Sequence, residues 1–214
     1  MPHTPETHFL RDVAHALTVL GNGFLAHPHN DVLHDALDAG RLSAAAYYDQ
    51  LARLIYRVLW LLAAEVQGVL PASQASPSAR QRYLRSYTVA RLRRLAAPRR
   101  PQAASLYRNL LTVMAHLGSP TSDLAIGVPA LGHFLQPGPA LPDLVSCELA
   151  DRAMLEAVQA LVSAIERGAS TERLDGQALA MVALALRQWQ PVLQTAPRSF
   201  ELVRVPLCVL PGSH

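Results

Sequence analysis

Arginine and tyrosine side chains that could bind phosphates are concentrated in one stretch of the sequence. Residues 80–100 contain eight arginines with Tyr83 and Tyr87 between them, and the interval from Glu65 to Asp123 contains no acid. Guanidinium groups neutralise phosphates, and tyrosines stack on bases or hydrogen-bond to the backbone, so this pattern is typical of salt-dependent, mostly sequence-independent nucleic-acid binding. The alternative, to which we give equal weight, is a solvated helix face. If the stretch binds DNA, the expected backbone contacts are Arg82, Arg85, Arg91, Arg93, Arg94, Arg99 and Arg100. Tyr83 and Tyr87 are also candidate structural or interface residues.

Several kinds of catalysis are excluded by residues that the chain lacks. All 19 basic residues are arginine, so a phosphate-binding loop ending in Gly-Lys, a Schiff-base lysine and a nuclease lysine are excluded. The sequence has no Gly-x-Ser-x-Gly elbow, and no pair of carboxylates stands out as an acid and a base. We therefore predict no catalytic residues and no enzymatic activity for this chain on its own.

The remaining reactive side chains favour structural roles. A zinc site built on His27, His29 and His34 has no cysteine or glutamate at ligand spacing beside it, so we predict no metal ligands. Cys147 and Cys208 are expected to be thiols. Glu65, in an apolar helix end, either pairs with an arginine or serves as an acid at an interface, and we favour the pairing.

The sequence predicts a cytoplasmic protein without membrane contact. The first residues, MPHTPETHFLRDVAHA, have no basic segment followed by an apolar one. The longest apolar run, Leu54 to Ala64, is interrupted by Arg57 and is shorter than the roughly 18 to 20 residues of a membrane span.

One long helix, predicted over residues 43–70, organises the rest of the chain. Its apolar residues recur at a spacing of three and four that places them on one face. They are Tyr47, Leu51, Leu54, Val58, Leu61 and Val69. Ser43 is expected to cap the helix, with Asp49, Arg53 and Arg57 as a solvated or partner-facing stripe.

Shorter helices are predicted on either side of this central helix. The first runs from Glu6 to Leu20 and is stopped by Gly21-Asn22-Gly23; a second is capped by Asn30 and ends at Gly40. A basic helix follows over 81–97, and another from Leu106 to Leu117. In the basic helix, the residues expected to face the core are Leu84, Tyr87, Leu92 and Leu95.

These elements predict an all-α fold, an irregular multi-helix bundle. The first lobe spans residues 1–118, and a connector rich in proline and glycine spans 119–145. A second helical lobe is predicted over 146–196, with Ser146 and Asp175 as helix caps and the last helix reaching Leu193. Residues 197–214 are predicted to be a loose tail.

Seven segments, in the same order, resemble the helical region that precedes the catalytic domain in single-chain type IIG restriction-modification enzymes. The same region occurs in the related adenine-specific DNA methylases of the BREX and DISARM phage-defence systems. The segments are NGFLAHPHN, RLSAAAYYDQLARLIYRVLWLLAAEVQGVL, RYLRSYTVARLRRLA, IGVPALGHFL, CELADRAMLEAV, LDGQALAMVALALRQWQPVL and SFELV. The resemblance covers most of the chain.

The resemblance also shows what this chain lacks. Family members continue into a methyltransferase domain that binds S-adenosylmethionine through a glycine-rich loop and holds the flipped adenine with an Asn-Pro-Pro-aromatic motif. Neither feature occurs here, so no cofactor is expected in this chain. The family pattern also has acidic or Tyr-Glu pairs where this chain has Gln177-Ala178 and Ala183-Leu184, and an acid where it has Val66.

The resemblance therefore implies a non-catalytic DNA-associated helical module of an adenine-specific methyltransferase, either a truncated fragment or a split subunit. Its expected partner is the DNA phosphate backbone. The alternative is a protein-interaction subunit that docks a separately encoded methyltransferase chain.

Overall fold

The computed structural model describes residues 5–89, 91–92, 105–121, 127–168, 182–183, 186–195 and 197–204. Within these ranges the chain is mostly helical, with one two-stranded antiparallel sheet. The elements are α1 (Pro5–Ala26), α2 (Asp31–Asp38), α3 (Ala44–Val66), α4 (Pro77–Ser86), α5 (Ser105–Leu117), α6 (Pro137–Ala140), α7 (Asp151–Gly168), β1 (Trp189–Thr195) and β2 (Arg198–Arg204). Short 3-10 turns lie at His133–Leu135 and Leu144–Ser146. None of the described helices combines the length and apolarity needed to cross a membrane.

The central helix is confirmed as α3, and it ends four residues earlier than predicted. Ser43 caps it by accepting a hydrogen bond from the backbone amide of Ala46 at 3.1 Å. Gly68 has a φ of +72° and ends the helix in the left-handed conformation typical of such positions. Val69 consequently lies past the end and is 42% exposed, so its predicted place in the core is wrong. The other five apolar residues predicted for that face are buried.

The predicted stop at Gly21-Asn22-Gly23 is wrong, because α1 continues through these residues to Ala26. The two glycines permit close packing. A Cβ on Gly21 would lie 2.4 Å from the ring of Phe200, and one on Gly23 would lie 2.7 Å from a methyl of Leu149. Between them, the Asn22 side chain donates to the carbonyl of Phe200 and accepts from its amide, both at 2.9 Å.

The end of the chain forms strands where the sequence predicts a helix and a loose tail. β1 and β2 pair in register from Trp189↔Arg204 to Thr195↔Arg198. Pro191 cannot continue a helix, but it is tolerated in a strand that lies at a sheet edge. A two-stranded sheet is marginal alone in water, so its stability depends on packing against the helices. Phe200 provides this packing: it is fully buried, and its ring meets that of Tyr47 edge to face.

The two predicted lobes share one hydrophobic core. α1 from the first lobe packs along α7 from the second, and buried side chains of both belong to the same cluster. Ser146 does not cap α7, because that helix begins five residues later, at Asp151. The Asp151 carboxylate instead caps α5, accepting from the hydroxyl of Ser105 at 2.9 Å and the amide of Leu106 at 2.8 Å. The predicted cap Asp175 lies outside the described residues.

Side chains of α3 hold the segment that follows α5. Arg57 donates to the carbonyl of Phe134, and Arg53 donates to that of Ala140 at 3.3 Å. The buried Gln50 donates to Asp143 Oδ2 at 2.7 Å and accepts from the Asp143 amide at 2.9 Å. Burial, with a smaller effect of neighbouring Arg53, lowers the pKa of Arg57. Two of the three residues predicted as a solvated or partner-facing stripe therefore attach the connector to the central helix.

Asn30 joins distant parts of the chain and does not cap α2 as predicted. Its side chain makes no capping hydrogen bond. Its amide nitrogen donates to the carbonyls of Phe24 and Glu148, both at 2.8 Å, while its oxygen accepts from the Glu148 amide at 2.7 Å. Asn30 is 2% exposed, so these hydrogen bonds satisfy a buried amide that water cannot reach.

Candidate nucleic-acid interface

The basic helix predicted over residues 81–97 is observed as α4, which begins four residues earlier, at Pro77, and already ends at Ser86. Ser76 caps it by accepting from the amide of Ala79 at 3.2 Å, and Pro77 occupies its first turn. Only two of its side chains, Ala79 and Tyr83, are buried. They lie four residues apart and so share one narrow face. The rest of the helix surface is available to solvent or to a partner.

Tyr83 anchors α4 to the end of α3 through Glu65. Its hydroxyl donates to Glu65 Oε1 at 2.8 Å, and the Val89 amide donates to the same oxygen at 2.8 Å. The other carboxylate oxygen accepts from the Thr88 hydroxyl at 2.6 Å. Hydrogen bonds to a charged acceptor contribute about 1.5–3 kcal/mol each, more than neutral ones. This carboxylate therefore fixes both α4 and the residues immediately after it.

The environment of Glu65 indicates a structural role. Burial, and then the negative charge of Glu65, raises the pKa of Tyr83 well above its usual value. The phenol consequently stays protonated at neutral pH and acts as a donor. The pairing predicted for Glu65 is with an arginine; the partners described above are a tyrosine, a threonine and a backbone amide. The sequence signal for such an anchor is that Glu65 is the last acid before a long stretch without acids.

The anchor also explains an error in the predicted orientation of α4. Leu84 was expected to face the core, but it is 52% exposed. Tyr83 is fully buried because its hydroxyl must reach Glu65, and this rotates the helix so that the next residue points outward. Tyr83 therefore has a structural role, which is one of the roles that the sequence offers for it, and its buried ring is not presented to a nucleic acid. Tyr87 is half-buried against the core and Leu92 is buried, as predicted.

Three of the seven arginines predicted to contact DNA are described, and all three are exposed: Arg82, Arg85 and Arg91. The other four, with Leu95, lie outside the described residues: Arg93, Arg94, Arg99 and Arg100. Arg80, which the prediction did not select, is also exposed on α4, and its guanidinium lies 3.4 Å from the carbonyl of Ser73. α4 thus presents Arg80, Arg82 and Arg85 from one rigid element.

Charge around α4 is positive. Neither Arg80 nor Arg85 forms an ion pair with any residue in the described ranges. Arg108, which belongs to the same acid-free interval of the sequence, differs because its guanidinium pairs with Glu148 at 2.5 Å. α4 therefore carries three arginines of this interval, and clustered positive charges attract an anionic polymer.

None of three comparisons, with models of protein families, with curated proteins and with solved structures, gives a match for this chain.

Proposed function

We propose that this chain is a non-catalytic, mostly helical DNA-associated module of an adenine-specific methyltransferase from a restriction-modification or phage-defence system. The observation that carries the proposal is the presentation of Arg80, Arg82 and Arg85 on α4. In this proposal the chain contacts the phosphate backbone, and a separate methyltransferase domain supplies the S-adenosylmethionine site and the adenine pocket.

The way in which α4 packs on the protein suits binding to phosphates. Tyr83 and Ala79 fix the helix from beneath, so binding need not order the backbone that carries the arginines. Each phosphate contact releases condensed counterions, which favours binding at low salt and makes it nearly independent of sequence.

The methyltransferase part of the proposal rests on the resemblance alone, and distant segments that carry the resemblance contact one another in the structure. NGFLAHPHN supplies Asn22 and Asn30, whose side chains bind the backbones of Phe200 in SFELV and Glu148 in CELADRAMLEAV. Segments of the resemblance that are far apart in sequence therefore depend on one another.

Fluorescence anisotropy with a labelled DNA duplex of arbitrary sequence tests the DNA contact. The variant is R82Q/R85Q, because both side chains are exposed and the Tyr83, Thr88 and Val89 groups that donate to Glu65 are retained. At ~50 mM salt the counterion contribution is about tenfold per phosphate contact, so we expect affinity to fall by roughly 10- to 100-fold. The loss should be the same on a second, unrelated duplex.

The matched control is R41Q/R152Q, which removes two exposed arginines outside α4 and its flanking residues. Both variants lower the net charge from +3 to +1, so a non-specific charge effect would weaken them equally. Equal affinities for the two double variants would refute a DNA contact at α4. Undetectable binding of the unsubstituted chain at low salt would refute the function itself.

A further inference from the structure

A second group of side chains lies away from α4, where the loop after α1 meets the segment before α7. His27 and His29 flank Pro28 on the loop, and Glu148 comes from the other half of the chain. One ligand-type atom from each of these three residues lies within 4.8 Å of the others. The third ligand that the local sequence around the histidines lacks is thus supplied by the fold.

His27 has a nitrogen without a hydrogen-bond partner among the described residues. The residue is 4% exposed, and its Nε2 is buried without a hydrogen-bond partner in the structure. A buried polar atom without a partner loses its hydration with no compensation. Glu148 Oε2 lies 3.9 Å from this nitrogen, which is too long for a hydrogen bond.

The separations match a bound cation better than direct contact between the side chains. Glu148 Oε2 also lies 3.9 Å from His29 Nδ1. Ligands of a tetrahedral zinc ion lie about 2.0–2.2 Å from the metal and hence roughly 3.4 Å from one another. An ion between the three atoms therefore requires each separation to close by only about 0.5 to 1.4 Å. His29 is largely exposed, so its side chain can turn to make this adjustment.

Neighbouring residues hold these ligands in place. Asn30 ties the loop to the backbone of Glu148 with two hydrogen bonds, which places the carboxylate opposite the histidines. Arg108 binds Glu148 Oε1 at 2.5 Å, leaving Oε2 for a metal. Outer hydrogen bonds of this kind orient the ligands of known metal sites. The His29 amide donates a long hydrogen bond of 3.4 Å to His27 Nδ1. Metal binding at Nε2 moves the imidazole proton to Nδ1 and therefore requires this hydrogen bond to break.

We propose that His27 Nε2, His29 Nδ1 and Glu148 Oε2 bind a divalent transition-metal ion of the Zn²⁺ class. Two imidazoles and one carboxylate are the ligand types that suit zinc, and a water completes the fourth position. His34 is not a ligand, because its Nε2 is hydrogen-bonded to the carbonyl of Leu25 at 2.9 Å. This site is independent of the proposed DNA contact on α4.

Zinc titration of untagged, metal-free protein against a chromophoric chelator tests the site. We expect one equivalent to bind with a dissociation constant below about 1 µM. His29→Gln should weaken this binding by at least about tenfold, which even the loss of an outer partner can cost. Because His29 is on the surface, this variant should fold normally. Co²⁺ gives a second readout, since its visible absorption reports four-coordinate nitrogen and oxygen ligation.

His15→Gln is the matched control, because His15 forms an exposed pair with Glu156 at 3.4 Å elsewhere on α1. The proposal requires zinc affinity to be unchanged in this variant and reduced in His29→Gln and in Glu148→Gln. The proposal is overturned if the unsubstituted chain binds zinc only with a dissociation constant above about 10 µM, which is much weaker than the binding of structural sites. It is also overturned if the His15 and His29 variants lose equal affinity.

Discussion

Replacing Gly21 with alanine tests how the C-terminal strands pack on α1. In an exposed helix interior this substitution stabilises a protein by up to about 1 kcal/mol, because alanine is the better helix former. Here the added Cβ would lie 2.4, 2.7 and 3.0 Å from three ring atoms of Phe200. The ring cannot simply move away, because the Asn22 side chain binds both the amide and the carbonyl of Phe200.

The expected magnitude follows from these two opposing effects. Overpacking of a well-filled core costs about 1–3 kcal/mol, and contacts this short favour the upper end. After subtracting about 1 kcal/mol of helix propensity, Gly21→Ala should lower the free energy of unfolding by roughly 2 kcal/mol. In a Phe200→Ala background the obstacle is gone, so the same change should stabilise by up to about 1 kcal/mol.

Urea unfolding followed by circular dichroism measures this double-mutant cycle in four proteins: the unsubstituted chain, Gly21→Ala, Phe200→Ala and the double variant. The predicted coupling between the two sites is about 3 kcal/mol, far above the 0.3–0.5 kcal/mol expected for independent positions. Gly138→Ala is a matched control, since nothing lies within 4 Å of its added Cβ. If Gly21 instead terminated a helix, as its local sequence suggests, Gly21→Ala would cost the same in both backgrounds. Equal costs would therefore refute the packing described here.

Two further predictions concern buried polar groups. Asp151→Ala removes the acceptor for the Ser105 hydroxyl and the Leu106 amide, so urea unfolding should show a loss of about 2 kcal/mol, with a smaller loss for Ser105→Ala. Alkaline pH should also unfold the chain, because the folded-state pKa is raised by burial for four tyrosines: Tyr47, Tyr48, Tyr83 and Tyr107. The stability that a raised pKa contributes is fully present below the unfolded-state pKa near 10. It is lost as pH rises through the folded-state pKa, which is about 12 for Tyr48. Stability should therefore fall by about 1.4 kcal/mol per pH unit per buried tyrosine above pH ~10, as measured by urea unfolding across that range. Tyr83→Phe should reduce the slope of the unfolding free energy against pH by the contribution of one buried tyrosine. An unchanged slope would contradict the burial of this phenol.

The helices of this chain were predictable because their signals are local. α3 and α5 follow from apolar spacing, and Ser43 caps α3 as a serine before an apolar run should. The same local reasoning fails at Gly21-Asn22-Gly23. Glycine favours helix ends and also permits close approach, and only the position of Phe200 decides between the two.

The parts that sequence reasoning missed depend on pairing between distant residues. β1 and β2 form an isolated two-stranded sheet whose stability comes from docking on α1 and α3. The roles of Asn30 and Asp151 likewise depend on partners 118 and 46 residues away in sequence. At the candidate site, the arginine-rich composition was visible in the sequence. The anchoring role of Glu65, which determines the exposed face of α4, required the structure.

The salt dependence of DNA binding is the sharpest test of phosphate contacts at α4. Binding constants of the unsubstituted chain, R82Q/R85Q and R41Q/R152Q would be measured on one duplex over a series of salt concentrations. If Arg82 and Arg85 each neutralise one phosphate, the slope of log K against log salt should become shallower by about 1.8 in R82Q/R85Q. The slope for R41Q/R152Q should match that of the unsubstituted chain. Parallel lines for all three proteins would contradict a phosphate-binding role for α4.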